Sequence, residues 1–168
     1  FSNTLSGTDL IVGARGGAIP LLLYSVFRLG DPTNNLRWDS YQAIAALPQV
    51  AWTVPLSLGD SHRGYRVLGT TQAYFTHYRY AGDQALRLAA GAPFADLFDV
   101  VLGAEVAARL GYRLGDELVL AHGTGAVSFS RHEATPFRVS GILARTGTPV
   151  DRTLHVSLAG MEAIHVGW

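Results

Sequence analysis

The stretch Asp99-Val100-Val101-Leu102-Gly103-Ala104-Glu105-Val106-Ala107-Ala108-Arg109-Leu110-Gly111-Tyr112-Arg113-Leu114-Gly115-Asp116-Glu117-Leu118-Val119-Leu120 decides the fold. Ala104–Leu110 predicts a short helix, and Gly111 stands where a left-handed residue closes a helix end. Gly115-Asp116 then turns the chain into three predicted strands, Glu117–Ala121, Ala126–Ser130 and Phe137–Leu143. A Gly123-Thr124-Gly125 turn joins the first two, so the expectation is a compact β-meander. Strands outnumber helices, and the class is α+β with a strand majority.

Working outward, Asp9–Val12 reads as a short strand entering the loop Gly13-Ala14-Arg15-Gly16-Gly17. A helix is expected where Asp39 can act as N-cap with Gln42 three residues on; Tyr41, Ile44 and Ala45 share a face, and Pro48 ends it. That face predicts a helix lying on a sheet. Val50–Leu58 and Arg66–Thr70 have strand character, with Gly59-Asp60-Ser61-His62-Arg63-Gly64 as a polar turn between them, and Pro55 marks an edge or a bulge. Ala85-Leu86-Arg87-Leu88-Ala89 fits either an alternating strand or a short helix, and the strand is the preferred reading. At the far end Leu158–Ile164 is a helix that takes Ser157 as its N-cap and sets Leu158, Met161 and Ile164 on one stripe.

Composition narrows the chemistry. The 168 residues are 48% hydrophobic and 15% charged, a balance that supports a packed core. Acidic and basic residues number 13 each, so no net field draws the chain to nucleic acid or to an anionic membrane. There is no cysteine, which removes disulfides, thiol nucleophiles, iron–sulfur ligation and thiolate zinc sites. There is also no lysine, which removes a Walker A loop, a Schiff base and a Ser-x-x-Lys pair. The sequence begins at Phe1 and its one methionine is Met161, as expected of a processed or excised piece. Its longest apolar run, Ala18–Phe27 with Pro20 inside it, falls short of the ~20 residues that span a bilayer.

Three constellations bear on function. Gly13-Ala14-Arg15-Gly16-Gly17 lacks the Gly-x-Gly-x-x-Gly spacing and reads as a turn rather than a phosphate cradle. Asp151, His155 and Ser157 would share one face of a strand, but no Gly-x-Ser-x-Gly elbow accompanies them, so hydrolase chemistry is not expected. Of six histidines, His122 and His132 flank one hairpin, and hairpin folding would bring their imidazoles near each other as zinc donors. His62 and His77 lie in or near other turns, and Arg131-His132-Glu133 forms a solvated loop before Pro136. No catalytic residue and no cofactor is expected; His122 and His132 are the metal candidates.

The run from Asp99 to Leu120, followed by Phe137-Arg138-Val139-Ser140-Gly141-Ile142, resembles the MacB-like periplasmic core domain of ABC transporter permeases. The order is that family's: a Val-Leu-Gly strand end, a short helix, a Gly-Asp turn, a strand and a later Phe-x-Val-x-Gly-Ile strand. Asp9-Leu10-Ile11-Val12-Gly13-Ala14 and Thr148-Pro149-Val150-Asp151-Arg152-Thr153 resemble a subgroup of the same permeases, so the likeness covers nearly the whole chain. It implies a domain inserted between two transmembrane helices, on the periplasmic face of the bacterial inner membrane. It implies a discontinuous α/β porter-like part at 1–78 and 146–168, with a strand-rich sabre-like part inserted at 79–145. The implied function is non-catalytic coupling of ATP hydrolysis, carried out by a separate cytoplasmic subunit, to export, extraction or mechanotransmission. The implied partners are the flanking helices, that subunit, a second permease copy and a periplasmic protein. The competing reading is a periplasmic metal- or ligand-binding domain that uses histidines.

Overall fold

The computed structural model describes residues 4–14, 21–22, 25–28, 36–122 and 135–165. In chain order its elements are α1 (Trp38–Ala45), β1 (Ser57–His62), β2 (Tyr65–Thr70), α2 (Gln72–His77), β3 (Arg79–Tyr80), β4 (Gln84–Ala85), β5 (Leu88–Gly91), β6 (Asp99–Leu102), α3 (Ala104–Leu110), β7 (Glu117–Leu118), β8 (Ala121–His122), β9 (Phe137–Leu143), a 3-10 turn (Pro149–Arg152), β10 (Thr153–Ser157) and α4 (Leu158–His165). The fold is α+β. One mixed sheet runs β5-β9-β6-β10-β2-β1-β8, with β7 on the same edge of β9 as β5, and β3 and β4 form a separate small ladder. Strands from within 79–145 and from outside it share this sheet: β6 pairs with β10 through Leu154–Leu102, His155–Val101 and Val156–Val100.

The sheet is curled, and its connectivity shows why. β7 pairs with β9 and β8 pairs with β1, at opposite ends of the strand path, yet only Val119 and Leu120 separate β7 from β8. Six steps across a flat sheet would hold those edges roughly 29 Å apart. Three residue steps from Leu118 to Ala121 reach at most about 11 Å. The two edges must therefore come round to meet, leaving a seam spanned by the 119–120 link.

Both faces of the sheet are covered, so its central strands are apolar on consecutive residues: Val67 and Leu68, and Val100, Val101 and Leu102, are all fully buried. One face packs Val67, Val100, Leu102, Leu154, Val156, Phe137 and Val139 against Val106 and Ala107 of α3 and Met161 of α4. The other packs Leu68, Val101 and Leu143 against Tyr74 and Tyr78 of the α2 region, with Phe94 and Val150. Gly103, which leads into α3, sits so close to the 3-10 turn that a β-carbon there would stand 2.2 Å from the Val150 carbonyl oxygen.

Several local expectations hold. α3 spans Ala104–Leu110 and ends on Gly111 at φ 72°. β9 spans Phe137–Leu143 as read. Ser157 Oγ accepts from Gly160 N at 2.9 Å, which caps α4. The Gly115-Asp116 turn is fastened to β9 by Gly115 N to Val139 O at 2.9 Å and Val139 N to Asp116 O at 2.8 Å.

Others are corrected. Asp9–Val12 is not a strand; none of the described residues pairs with it, and Leu10 is 80% exposed. α1 begins at Trp38, so Asp39 lies inside its first turn, where its carboxylate accepts from Ser40 N, rather than at the cap. The helix buries no residue and does not lie on the sheet; it is tethered by Tyr41 Oη to Thr53 Oγ1 at 2.9 Å. The first strand of the hairpin is Ser57–His62, not Val50–Leu58, and the turn shrinks to Arg63-Gly64, both at positive φ. Two such residues match the twist of a tight hairpin, and the polar residues before them belong to the strand. The meander is broken because the chain leaves β9's edge after Leu118 and pairs β8 with β1 instead. The expected strand Ala126–Ser130 and its Gly123-Thr124-Gly125 turn lie outside the described residues.

Candidate functional site

β1 carries an irregularity that decides what faces inward at the seam. Leu58 pairs with Leu68, but Asp60 pairs with Val67, so the register slips by one at Gly59. Without the bulge, Asp60 would share the face of Leu58 and Leu68. With it, Asp60 and His62 are turned to the face of Val67 and Tyr65, that of the larger core. Asp60 is fully buried, and His62 is 7% exposed.

Each of these polar groups is partnered. His165, the last residue of α4, brings its Nε2 to 3.1 and 3.0 Å from the two Asp60 carboxylate oxygens. His62 Nδ1 stands 2.7 Å from the Val119 carbonyl oxygen and Nε2 stands 2.7 Å from Tyr112 Oη. A carbonyl only accepts, so Nδ1 carries the proton and Nε2 accepts from the tyrosine. The His62 side chain thus ties β1 to the 119–120 link across the seam. Burial lowers its pKa, the bond to Val119 partly offsets that, and Arg63 lowers it further. Beside His165 an open cleft of about 290 Å³ is lined by Ser57, Leu158, Met161 and Glu162.

On the opposite face His155 is fully buried. Its Nδ1–H donates to Val101 O at 3.0 Å, and Nε2 accepts from Tyr74 Oη at 3.2 Å. The Tyr74 oxygen in turn accepts from Arg28 Nη2 at 3.3 Å. Burial pushes the His155 pKa down to about 3, the Val101 bond opposes this, and Arg28 adds to it. This imidazole stays neutral in the folded chain.

The residues singled out from sequence are dispersed. Asp151 Oδ1 accepts from Thr146 N and Oγ1, and its Oδ2 accepts from Gly147 N, each at 2.8 Å, holding a loop. His155 is in the core and Ser157 caps a helix, and none of the three is bonded to another. His77 stacks on Trp52 with ring centres 4.4 Å apart. His122 lies in β8, its Cα paired with that of Asp60. His132 lies outside the described residues. Among the described residues no group of three or more His, Cys, Asp or Glu gathers as a metal site. The sequence reading missed Asp60 and His165, which stand 105 positions apart. The one local hint was Asp60 and His62 two apart on what proves to be a strand.

A family model described as the MacB-like periplasmic core domain matches residues 2–166. No curated protein matches the chain.

Proposed function

Because the chain belongs to the MacB-like periplasmic core domain family, the periplasmic domain of ABC transporter permeases, we propose that it is a non-catalytic coupling module. It passes movement driven by ATP hydrolysis on a separate cytoplasmic subunit to a substrate on the periplasmic side of the inner membrane. The observation that carries this reading is the family match over residues 2–166. In support, Asp151 holds a loop, Ser157 a helix end, His62 the seam and His155 the core. No helix among the described residues is long and apolar enough to cross a membrane, so the anchoring helices of the permease would flank this domain. A second permease copy and a periplasmic protein complete the set of partners. The porter-like part is assigned to 1–78 and 146–168 and the sabre-like part to 79–145, with the β6–β10 and β1–β8 ladders joining them.

Two experiments on the permease in its own membrane test this. The chain has no cysteine, so Asp83→Cys, at a side chain 92% exposed, gives this domain a single thiol, with labelling of the parent permease as the background. A membrane-impermeant maleimide should label it in intact spheroplasts; labelling only after permeabilisation overturns the periplasmic placement. Replacing the whole domain by a flexible linker should leave ATP hydrolysis in membranes while abolishing complementation of the permease-null phenotype. Retained complementation overturns the coupling role.

A further inference from the structure

We propose that Arg28 anchors a small-molecule site that takes a monocarboxylic acid with an apolar body. The inference rests on Arg28 and its surroundings and goes beyond the transporter reading. Arg28 is 4% exposed, and it keeps its charge there, because a guanidinium stays protonated in proteins. One of its donors is used: Nη2 reaches Tyr74 Oη at 3.3 Å. Among the described residues, the buried side-chain polar atoms without a hydrogen-bond partner are Arg28 Nε, Arg28 Nη1 and Ser6 Oγ. They gather at the α2 tyrosines. Tyr78 Oη donates to Thr4 O at 2.6 Å, Ser6 bridges to Arg79, and the rings of Tyr74 and Tyr78 are 5.1 Å apart.

The groups around the guanidinium leave its charge unanswered. Burial raises the Tyr74 and Tyr78 hydroxyls above the ordinary phenol value, so both are neutral near pH 7, and His155 is neutral as well. No carboxylate among the described residues forms an ion pair with Arg28. A buried cation whose donors lack acceptors weakens a fold. Arg28 is also held at φ 58°, in the left-handed region that few residues other than glycine enter. Strain and an unanswered charge at one residue suit a ligand clamp better than a structural prop. One guanidinium answers one negative charge, and its planar fork matches a carboxylate. The apolar body follows from an open cleft of about 280 Å³ whose walls include Leu5, Leu10, Ile11, Leu21 and Leu22. Leu22 O accepts from Val26 N at 3.0 Å, which ties that wall to the turn carrying Arg28. The cleft takes the apolar body, and the carboxylate passes inward to the guanidinium. The exposed Asp9 also lines the cleft and disfavours a second carboxylate, which keeps the site to monoacids.

The test titrates the chain with sodium octanoate by calorimetry, with acetate, octanedioate and 1-octanol as comparison probes. The parent chain should bind one octanoate and melt at a higher temperature in its presence. Acetate lacks the body, octanol lacks the charge and octanedioate carries a second one, so each should bind at least about tenfold more weakly. Arg28→Met and Arg28→Gln should each weaken octanoate by about tenfold or more, while Arg113→Gln, at an exposed arginine, should change nothing. Without octanoate, Arg28→Met should melt no lower than the parent, because it removes an unpaired buried charge. Near-ultraviolet circular dichroism checks that the variants fold. No binding of octanoate to the parent chain overturns the site, as does octanoate binding that Arg28→Met leaves unchanged or that octanol equals. A lower melting temperature of Arg28→Met without octanoate makes the guanidinium a structural prop and overturns it too.

Discussion

In the middle of the sheet, one face of β6, β10 and β2 buries Val100, Leu102, Leu154, Val156 and Val67, while the same face at the seam carries Asp60 and His62. The middle is held by close apolar packing against α3 and α4. The seam is held by oriented hydrogen bonds, through His62 to Val119 and Tyr112 and through His165 to Asp60. The contrast has a physical lesson. Apolar packing is strong and non-directional, whereas a closure made from hydrogen bonds through imidazoles and a carboxylate holds only at fixed distances and angles. The bulge at Gly59 is what lets one sheet carry both materials on one face.

The largest effect should come from the middle. Leu154→Ala removes a fully buried side chain from the larger core and should cost about 3 kcal/mol by urea unfolding. A loss under 1 kcal/mol would mean that the middle is not the stability-bearing region.

Acid comes next. The folded pKa of His155 is depressed from the ordinary 6.5 to about 3, so the unfolded chain takes up a proton that the native chain refuses. Its contribution is complete above about pH 6.5 and is lost as pH falls toward 3, at roughly 1.4 kcal/mol per pH unit within that window. His62 acts in the same direction. Urea melts at pH 7.5 and 5.5 should show the drop, and His155→Phe should flatten it. If His62→Gln flattens it more, the acid sensitivity resides at the seam rather than at His155 in the middle.

Smaller still, Tyr112→Phe removes the hydroxyl that donates to His62 Nε2 and should cost about 1 kcal/mol. Hydrogen exchange should rise in β8 and the 119–120 link before it rises in β6 or β10. Uniform loss of protection would show that the seam and the middle open together. Trp38→Ala, on a helix that buries nothing, should change stability by no more than about 0.5 kcal/mol in differential scanning calorimetry.

What the sequence disclosed was local. α3 with Gly111, α4 with Ser157, β9 and the Gly115-Asp116 turn are short-range signals, each complete within a few residues. β1 was hidden because Asp60, Ser61 and His62 are polar and buried together, a pattern that reads as a turn until a partner strand and a bulge explain it. Asp9–Val12 misled for the opposite reason: apolar residues without a neighbouring strand do not make one. The family was legible because its motifs are also local and ordered. The seam was not, since Asp60 meets His165 only after the sheet has curled and α4 has packed upon it.

The strap of Val119 and Leu120 gives the sheet the mechanics of a hoop. A closed band cannot widen at one place without loading every strand join around its circumference in series, and the shortest joins yield first. Among the described residues β8 meets β1 at Asp60 and Ser61, and β7 meets β9 at Arg138 and Phe137, whereas β10 runs beside β2 along all of Thr153–Ser157. A pull on the band therefore loads the two-residue joins at the clasp before the five-residue join of β10 to β2.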